Sequence, residues 1–522
     1  MKKKTVYTVN GKTIEREINY IPVRYIIAMM ITVLEILAII GVVVALCYFV
    51  PYFYLAVLLT QICCVVGIIA TDDNPDYKIP WLLFVMILPI AGFMLYFLFY
   101  KRTLNKKFRR RIENLFARRY GQDDGETFAR LQAENPVAAT QAKMLCNVAD
   151  ARLFTGTKQK YFPLGEEMWM SLLADLRSAK KFIFMEYFII EEGKFWDSIL
   201  AVLKEKATSG VEVKVVYDDI GCMSTLPGNY AKRLKKLGIA ATPFSRLRGS
   251  ADGEFNNRSH RKITVIDGVI AYTGGVNIAD EYINEVKRFG HWKDVAVRLE
   301  GAAALEMTRL FLVDYGMNVK NSGAWKDEYF PAFSPDGAEH GYIVPFGDGP
   351  RPIYKRNVGK SAILNLLASA TEYVDITTPY LIMDNELCSA IENTTLRGVR
   401  VRIIVPHIPD KKLVFEATRS FYKRFLDVGV EIYEYTPGFI HAKTYVADGK
   451  YAMIGTINLD YRSLVHHFEN GVWMYDCECI KDVEKDIEET VQASEKIDAK
   501  TWKVRVPKRM LRSLVRIFAP LL

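Results

Sequence analysis

One polar pattern occurs twice in this chain without slip. His260-Arg261-Lys262 runs on to Asp267 and Gly274-Gly275-Val276-Asn277; 181 residues later, His441-Ala442-Lys443 runs on to Asp448 and Gly455-Thr456-Ile457-Asn458. Both copies read H-x-K-x4-D-x6-G-[GT]-x-N. One copy is compatible with a polar-ended surface strand, but two at the same internal spacing demand a duplicated fold. The flanks repeat in the same order. KFIFMEYFII (181–190) answers EYVDITTPYLI (372–382), VEVKVVYDD (211–219) answers VRVRIIVPH (399–407), and AKRLKKLGI (231–239) answers YKRFLDVGV (422–430). Short β-branched runs alternate with helical stretches that stop at Gly, which predicts an α/β sheet in each half.

If H-x-K lies on a strand, its imidazole and ammonium project from one face. Side by side they form a phosphate site, in which the cation holds the oxygens and the imidazole reaches the phosphorus. The Gly pair admits close backbone, and Asn adds a neutral donor. Phosphodiester chemistry through a covalent intermediate needs a nucleophile and a second group to protonate the leaving oxygen. Two copies packed face to face supply both histidines, with two lysines and two asparagines around one phosphate. No H-E-x-x-H, carboxylate cluster or P-loop accompanies them, so neither a metal nor another cofactor is expected. The spacing leaves open which histidine attacks.

The 522 residues suffice for two or three folding units, but apolar residues are unevenly placed. Between Tyr25 and Ala70 the only charge is Glu35, and a second apolar run covers Ile79–Tyr100. As one helix, 25–70 would reach about 69 Å, over twice the hydrocarbon thickness; Pro51 is the natural break. The expected helices are about 25–47, 52–70 and 80–100, the third kinked at Pro89. Glu35 is either a functional carboxylate or part of a helix–helix contact. The connector 71–78, with Asp72, Asp73 and Asp76, suits the outer side, and the basic run after Tyr100 suits the inner side, which puts the body in the cytoplasm. Three spans would then leave the Lys-rich N-terminus outside. Either the first two runs include a re-entrant or interfacial segment, or those N-terminal charges are overruled.

The net charge of +9 conceals a strong asymmetry. Residues 1–24, 101–111 and 500–522 carry +4, +7 and +7, so the remainder is −9. Basic clusters beside spans suit anionic headgroups, whereas an acidic body argues against nucleic acid. The tail 502–522 interleaves Arg509, Arg512 and Arg516 with Met510, Leu511, Leu514, Val515 and Phe518, a pattern for an amphipathic helix on anionic lipid. The eight cysteines form no disulfide framework and read as reduced thiols; Cys477 and Cys479 lack a matching second pair.

The doubled motif resembles that of the phospholipase D superfamily, over about residues 136–495. With the apolar N-terminal runs and the basic end RSLVRIFAPLL, the whole chain resembles the bacterial cardiolipin synthases of that superfamily. The resemblance implies two repeated phospholipase D-type α/β sheet domains preceded by N-terminal transmembrane helices. The expected divisions are a basic segment 1–24, a transmembrane region 25–100, a basic linker 101–135, domains at 136–330 and 331–495, and an amphipathic tail 496–522. It also implies a multi-pass cell-membrane enzyme with a cytoplasmic body. Such an enzyme converts two phosphatidylglycerols to cardiolipin and glycerol through a phosphatidyl-histidine; the alternative is a membrane phospholipase D releasing phosphatidic acid. By the same resemblance His260 is the nucleophile and His441 the general acid and later base. Lys262, Lys443, Asn277 and Asn458 grip the phosphate, Asp267 and Asp448 brace the motifs, and Asp294 (HWKDV) and Glu469 (HHFENG) orient the imidazoles. His407, His466 and His467 acquire no role and read as structural. The implied partners are phosphatidylglycerol and anionic membrane lipids, with no nucleic acid.

Overall fold

The apolar N-terminal region breaks at its prolines. The computed structural model describes the chain except residues 1, 10–11, 20–22, 100–105, 117, 119, 121–123, 247–255, 320–324, 334–338, 352, 503 and 522. Two helices, α1 (Val23–Phe49) and α2 (Pro51–Ile69), are long and apolar enough to cross a membrane. Glu35 lies on an exposed face of α1.

The third run is not the single kinked helix expected. Leu88 leaves the helical conformation (φ −123°, ψ 76°), giving α3 (Pro75–Ile87) and α4 (Pro89–Phe99), about 20 and 17 Å long and each too short to span. The cause is local. Pro89 has no N–H for the Val85 carbonyl, and Gln61 of α2 supplies the missing donor, its Nε2 lying 2.9 Å from Val85 O and 3.2 Å from Met86 O. Gly92 lets the hairpin close, because a Cβ there would stand 2.2 Å from Phe84 O. The connector before α3 also departs from expectation, since it docks on the body. Asn74 Nδ2 donates to Asp384 (2.8 Å), and Asp76 accepts from Asn385 N (2.8 Å) and from the Tyr461 hydroxyl (3.4 Å). Two of the polar side chains expected to face the outer solution therefore hold the body.

The expected basic linker contains a helix, α5 (Lys106–Phe116), whose Ile112 and Leu115 are buried and whose Leu115 packs over Gly316. Beyond it lie two mixed sheets. The seven-stranded sheet runs in the order Lys158–Phe162, Ala296–Glu300, Ile270–Gly274, Lys262–Ile266, Phe182–Tyr187, Glu212–Asp218, Ala240–Phe244. The nine-stranded sheet repeats this core with Glu469–Tyr475, Tyr451–Gly455, Thr444–Ala447, Tyr373–Thr377, Arg400–Pro406 and Glu431–Tyr435. In both, the last three strands are parallel and the hairpin behind the motif is antiparallel. Phe154–Thr155 pairs with Tyr342–Asp348 in the second sheet, so the start of the expected first domain is woven into the second. The helix Ala304–Asn318 is buried through residue 317 and packs on strands of both sheets.

Candidate active site

Backbone pairing between the halves places the two motifs. Ser259 bridges to Phe468 in parallel, with His260 N donating to Phe468 O (2.8 Å) and Phe468 N to Arg258 O (2.8 Å). The same arrangement recurs where His291–Lys293 pairs with Gly438–Ile440 and His441 N donates to Lys293 O (2.7 Å). Each motif histidine thus hangs beside the segment that carries the other half's carboxylate, and the side chains pair crosswise. His260 Nδ1 lies 3.0 Å from both Glu469 oxygens, and His441 Nδ1 lies 2.6 Å from Asp294 Oδ2. An ionised carboxylate only accepts, so Nδ1 carries the proton and the Nε2 lone pair stays available. The histidines are not themselves on the strands expected for H-x-K; the strands begin at Lys262 and Thr444.

The one departure between the copies has a steric reason. A Cβ on Gly275 would stand 2.0 Å from Asp294 Oδ1, so the first copy requires Gly beside its shorter carboxylate. The second copy has Thr456, whose hydroxyl donates to Glu469 Oε2, while Ser463 donates to Oε1 (2.6 Å).

Burial dominates the electrostatics. His260 is pushed down to about 3 by desolvation against the opposing pull of Glu469, and His441 is driven well below its ordinary value by burial, Lys443 and Lys262. Both imidazoles are therefore neutral near pH 7. Burial also lowers Lys262 to about 7 and Lys443 to about 8, and it raises Asp294 to about 7. Glu469 goes the other way: despite its burial, His260 and His467 hold it below the carboxylate range. Each ammonium donates to the carbonyl of its own motif histidine, Lys262 to His260 O at 2.6 Å and Lys443 to His441 O. These lysines lose much of their charge near pH 8, and an anionic phosphate between them favours the charged form.

Asp267 and Asp448 do not join this cluster. Each sits in a left-handed turn (φ 54° and 53°) and caps backbone N–H groups at the start of the strand that pairs with its motif strand. Asp267 accepts from Lys180, Lys181 and Phe182, and Asp448 from Thr371, Glu372 and Tyr373, all at 2.7–3.0 Å. We expect Asp267→Ala or Asp448→Ala to leave those donors bare, to cost about 1–3 kcal/mol, and to lower the unfolding temperature of detergent-solubilised protein by several degrees; an unchanged melting curve contradicts the bracing. Asn277 is engaged, its Oδ1 with Ile189 N (3.0 Å) and its Nδ2 with Tyr282 (2.7 Å), which leaves one amide N–H for a ligand. Asn458 Oδ1 is buried without a hydrogen-bond partner among the described residues.

Three further features surround the histidines. Arg261, fully buried, pairs with Asp314 (2.7 Å) and donates to Glu469 O (3.0 Å), locking the partner strand; Ala442 stands at the matching position. Tyr282, Trp292 and Phe439 wall His441 at ring distances of 5.5, 5.7 and 6.0 Å. His467 stands 5.6 Å from His260, ring to ring, at the offset from Glu469 that Trp292 has from Asp294. Laying HHFE over HWKD would have found His467; nothing in the sequence marks Asp314 as the partner of Arg261.

The family described as cardiolipin synthase, PLD-like domain, matches residues 172–288 and 363–491, and the phospholipase D-nuclease N-terminal family matches residues 60–99. An uncharacterized protein of Streptococcus mutans is 40% identical, covering 85% of this chain and 96% of its own length. Cardiolipin synthase 2 of Bacillus anthracis is 32% identical (86% and 88%), and a cardiolipin synthase of Staphylococcus aureus is 31% identical (83% and 87%). The solved phosphatidylserine synthase of Haemophilus influenzae shares the fold at a TM-score of 0.55 and 16% identity, over 73% of this chain and 98% of that one.

Proposed function

The chain belongs to the cardiolipin synthases of the phospholipase D superfamily, and we propose that it moves a phosphatidyl group from one phosphatidylglycerol to a hydroxyl of a second, releasing glycerol. The observation that carries this reading is the crossed pairing of two buried imidazoles with two carboxylates, flanked by two buried lysines.

His260 Nε2 attacks phosphorus, forming a P–N bond as the P–O bond to glycerol breaks; His441 gives its proton to that oxygen. Glu469, accepting from Nδ1, stabilises the positive charge that develops on the His260 ring. Lys262 and Lys443 hold the non-bridging oxygens and offset their growing charge. Asn277 and Asn458, the last residues of the two motifs, serve as neutral partners for the phosphate. A phosphodiester between the lysines offsets the two charges that add to burial in depressing His441, so the ring takes up a proton at Nε2 from solvent as the substrate binds, and this is the proton it gives to the glycerol oxygen; Asp294, accepting from Nδ1, stabilises that imidazolium. In the second half-reaction His441 takes the proton of the acceptor hydroxyl, whose oxygen displaces His260 from phosphorus. The Tyr282–Trp292–Phe439 wall favours a lipid alcohol over water at that step.

For the membrane arrangement, we read α1 and α2 as two spans and α3–α4 as a re-entrant hairpin. An even number of crossings puts residues 1–24 on the same side as the body, so all the basic clusters lie on the cytoplasmic face and the three-span conflict disappears. The C-terminal helix (Val506–Phe518) joins this face, its Phe518 packing on Phe84 of α3 at 5.6 Å. Three of its four basic residues contact the body: Lys508 and Arg512 pair with Glu416 (3.0 and 2.8 Å), and Arg516 stacks on Phe421, while Arg509 is exposed. Val506, Met510, Leu511 and Leu514 remain at least half exposed. That apolar face, rather than the arginines, meets lipid. A fluorophore at Leu514→Cys should be quenched by brominated acyl chains and one at Lys508→Cys should not; the reverse order contradicts this orientation.

The test of the activity is incubation of the purified full-length protein in vesicles of labelled phosphatidylglycerol. Cardiolipin and glycerol in equal amounts are expected. Phosphatidic acid without cardiolipin would mean that water is the acceptor.

A further inference from the structure

Sequence alone assigns His467 no role beyond structure, yet its ring stands beside both His260 and Glu469. Its Nδ1 stands 3.7 Å from Glu469 Oε1, beyond hydrogen-bond reach, and has no hydrogen-bond partner among the described residues. The ligating atoms of His260, His467 and Glu469 all lie within 4.8 Å of one another. We propose that His260, His467 and Glu469 form a transition-metal site, suited to zinc, whose occupation switches the transferase off.

The geometry is close to what zinc needs. Bonds of about 2.0–2.1 Å in a tetrahedral ion put neighbouring ligand atoms about 3.3 Å apart. Two of the three edges are 3.0 Å (His260 Nδ1 to Glu469) and 3.7 Å (His467 Nδ1 to Glu469), and the third, between the imidazoles, is within 4.8 Å, so small side-chain shifts complete the site. The surroundings are also those of a metal site. Glu469 is held by the Ser463 and Thr456 hydroxyls, and outer-shell hydrogen bonds of this kind fix a ligating carboxylate. Phe188 flanks both imidazoles, at 5.1 and 6.4 Å. His467 keeps 11% of its side chain exposed, leaving a way in and a position for a fourth ligand. Two imidazoles and one carboxylate favour zinc, nickel or copper over magnesium or calcium. The other half cannot do the same, because Trp292 occupies the equivalent position; one ion per chain follows.

The consequence for the reaction rests on the proposed role of His260 as nucleophile. Zinc takes the Nδ1 lone pair, so the ring proton that Nδ1 had donated to Glu469 moves to Nε2. Nε2 then has no lone pair for phosphorus. Within the ring the Nδ1–H bond breaks and an Nε2–H bond forms, so no proton is lost; apart from the coordination bonds nothing else is made, and removing the metal restores the enzyme.

The test uses the detergent-solubilised full-length protein, stripped with a chelator and titrated with zinc chloride alone by calorimetry, beside the rate of phosphatidylglycerol conversion in the same buffer. We expect one zinc per chain, inhibition that saturates with occupancy and reverses on chelation, and no response to magnesium. His467→Asn and His467→Gln should weaken zinc binding by at least about tenfold, since even outer-shell changes produce that much, and should move the inhibition curve equally, each rate being scaled to that variant's own metal-free value. Equal zinc affinity in wild type and both variants overturns the site. Zinc bound through His467 without any loss of rate overturns the switch while leaving the site, and because binding is read by heat, a failure of the proposed lipid reaction would not be mistaken for either.

Discussion

His260→Ala and His441→Ala should each lower cardiolipin formation by about 10⁴-fold or more, and the double variant should fall little further. Groups that act as one unit are not additive: once either member is missing, the other has nothing to work with. Without His260 no P–N bond forms. Without His441 the glycerol oxygen leaves unprotonated, and the acceptor hydroxyl keeps its proton. The two losses differ in kind, which makes them separable. A phosphatidyl donor with a good leaving group, such as a p-nitrophenyl ester, does not need the acid in the first step. His441→Ala should then release a burst of nitrophenol and stall as the covalent enzyme, while His260→Ala should release none. A burst from His260→Ala and none from His441→Ala would exchange the two roles. Independent, multiplying losses in the double variant would contradict a shared site.

The second large effect concerns the crossed carboxylates. Glu469→Gln should cost about 10³–10⁴-fold in kcat, the size seen when a carboxylate that orients a catalytic imidazole becomes an amide. The amide can present N–H to Nδ1 and so drive the ring proton onto Nε2, the atom that has to attack. Asp294→Asn should cost a similar factor through His441, held at 2.6 Å. Because the pairs cross between the halves, Glu469→Gln, although in the second half, should behave like His260→Ala on the activated donor and give no burst. Asp294→Asn should behave like His441→Ala and keep it. If each carboxylate variant instead followed the histidine of its own half, the crossed pairing would be wrong.

Much of this site is legible in the sequence because it rests on repetition. The identical spacing of His260 and His441 to their Lys, Asp and Asn partners can be counted, and so can the matching flanks that became strands 182–187 and 373–377. What repetition cannot show is which copy serves which. The crossing depends on Ser259 pairing with Phe468 and Trp292 with Phe439, contacts between segments about 150–210 residues apart that no local pattern encodes. The partner of Arg261 is hidden for the same reason, because Asp314 lies 53 residues on, in a helix buried through residue 317 that also carries Glu306 and Arg309, and no local pattern singles it out. The membrane region shows the opposite failure. Hydropathy finds the third apolar run but not its reversal, since that depends on one absent N–H at Pro89 and on Gln61 reaching across from another helix. The acidic connector looks solvent-facing until Asp384 and Asn385, some 310 residues on, are seen to bind it.

The most direct test of the paired-histidine mechanism is to trap the intermediate. The His441→Ala enzyme would be incubated with the activated phosphatidyl donor, quenched in alkali where phosphorus–nitrogen bonds survive, digested, and the adduct located by tandem mass spectrometry. The account predicts a phosphatidyl group on the peptide containing His260. No histidine adduct despite a stoichiometric burst, or an adduct on any residue other than His260, would contradict it.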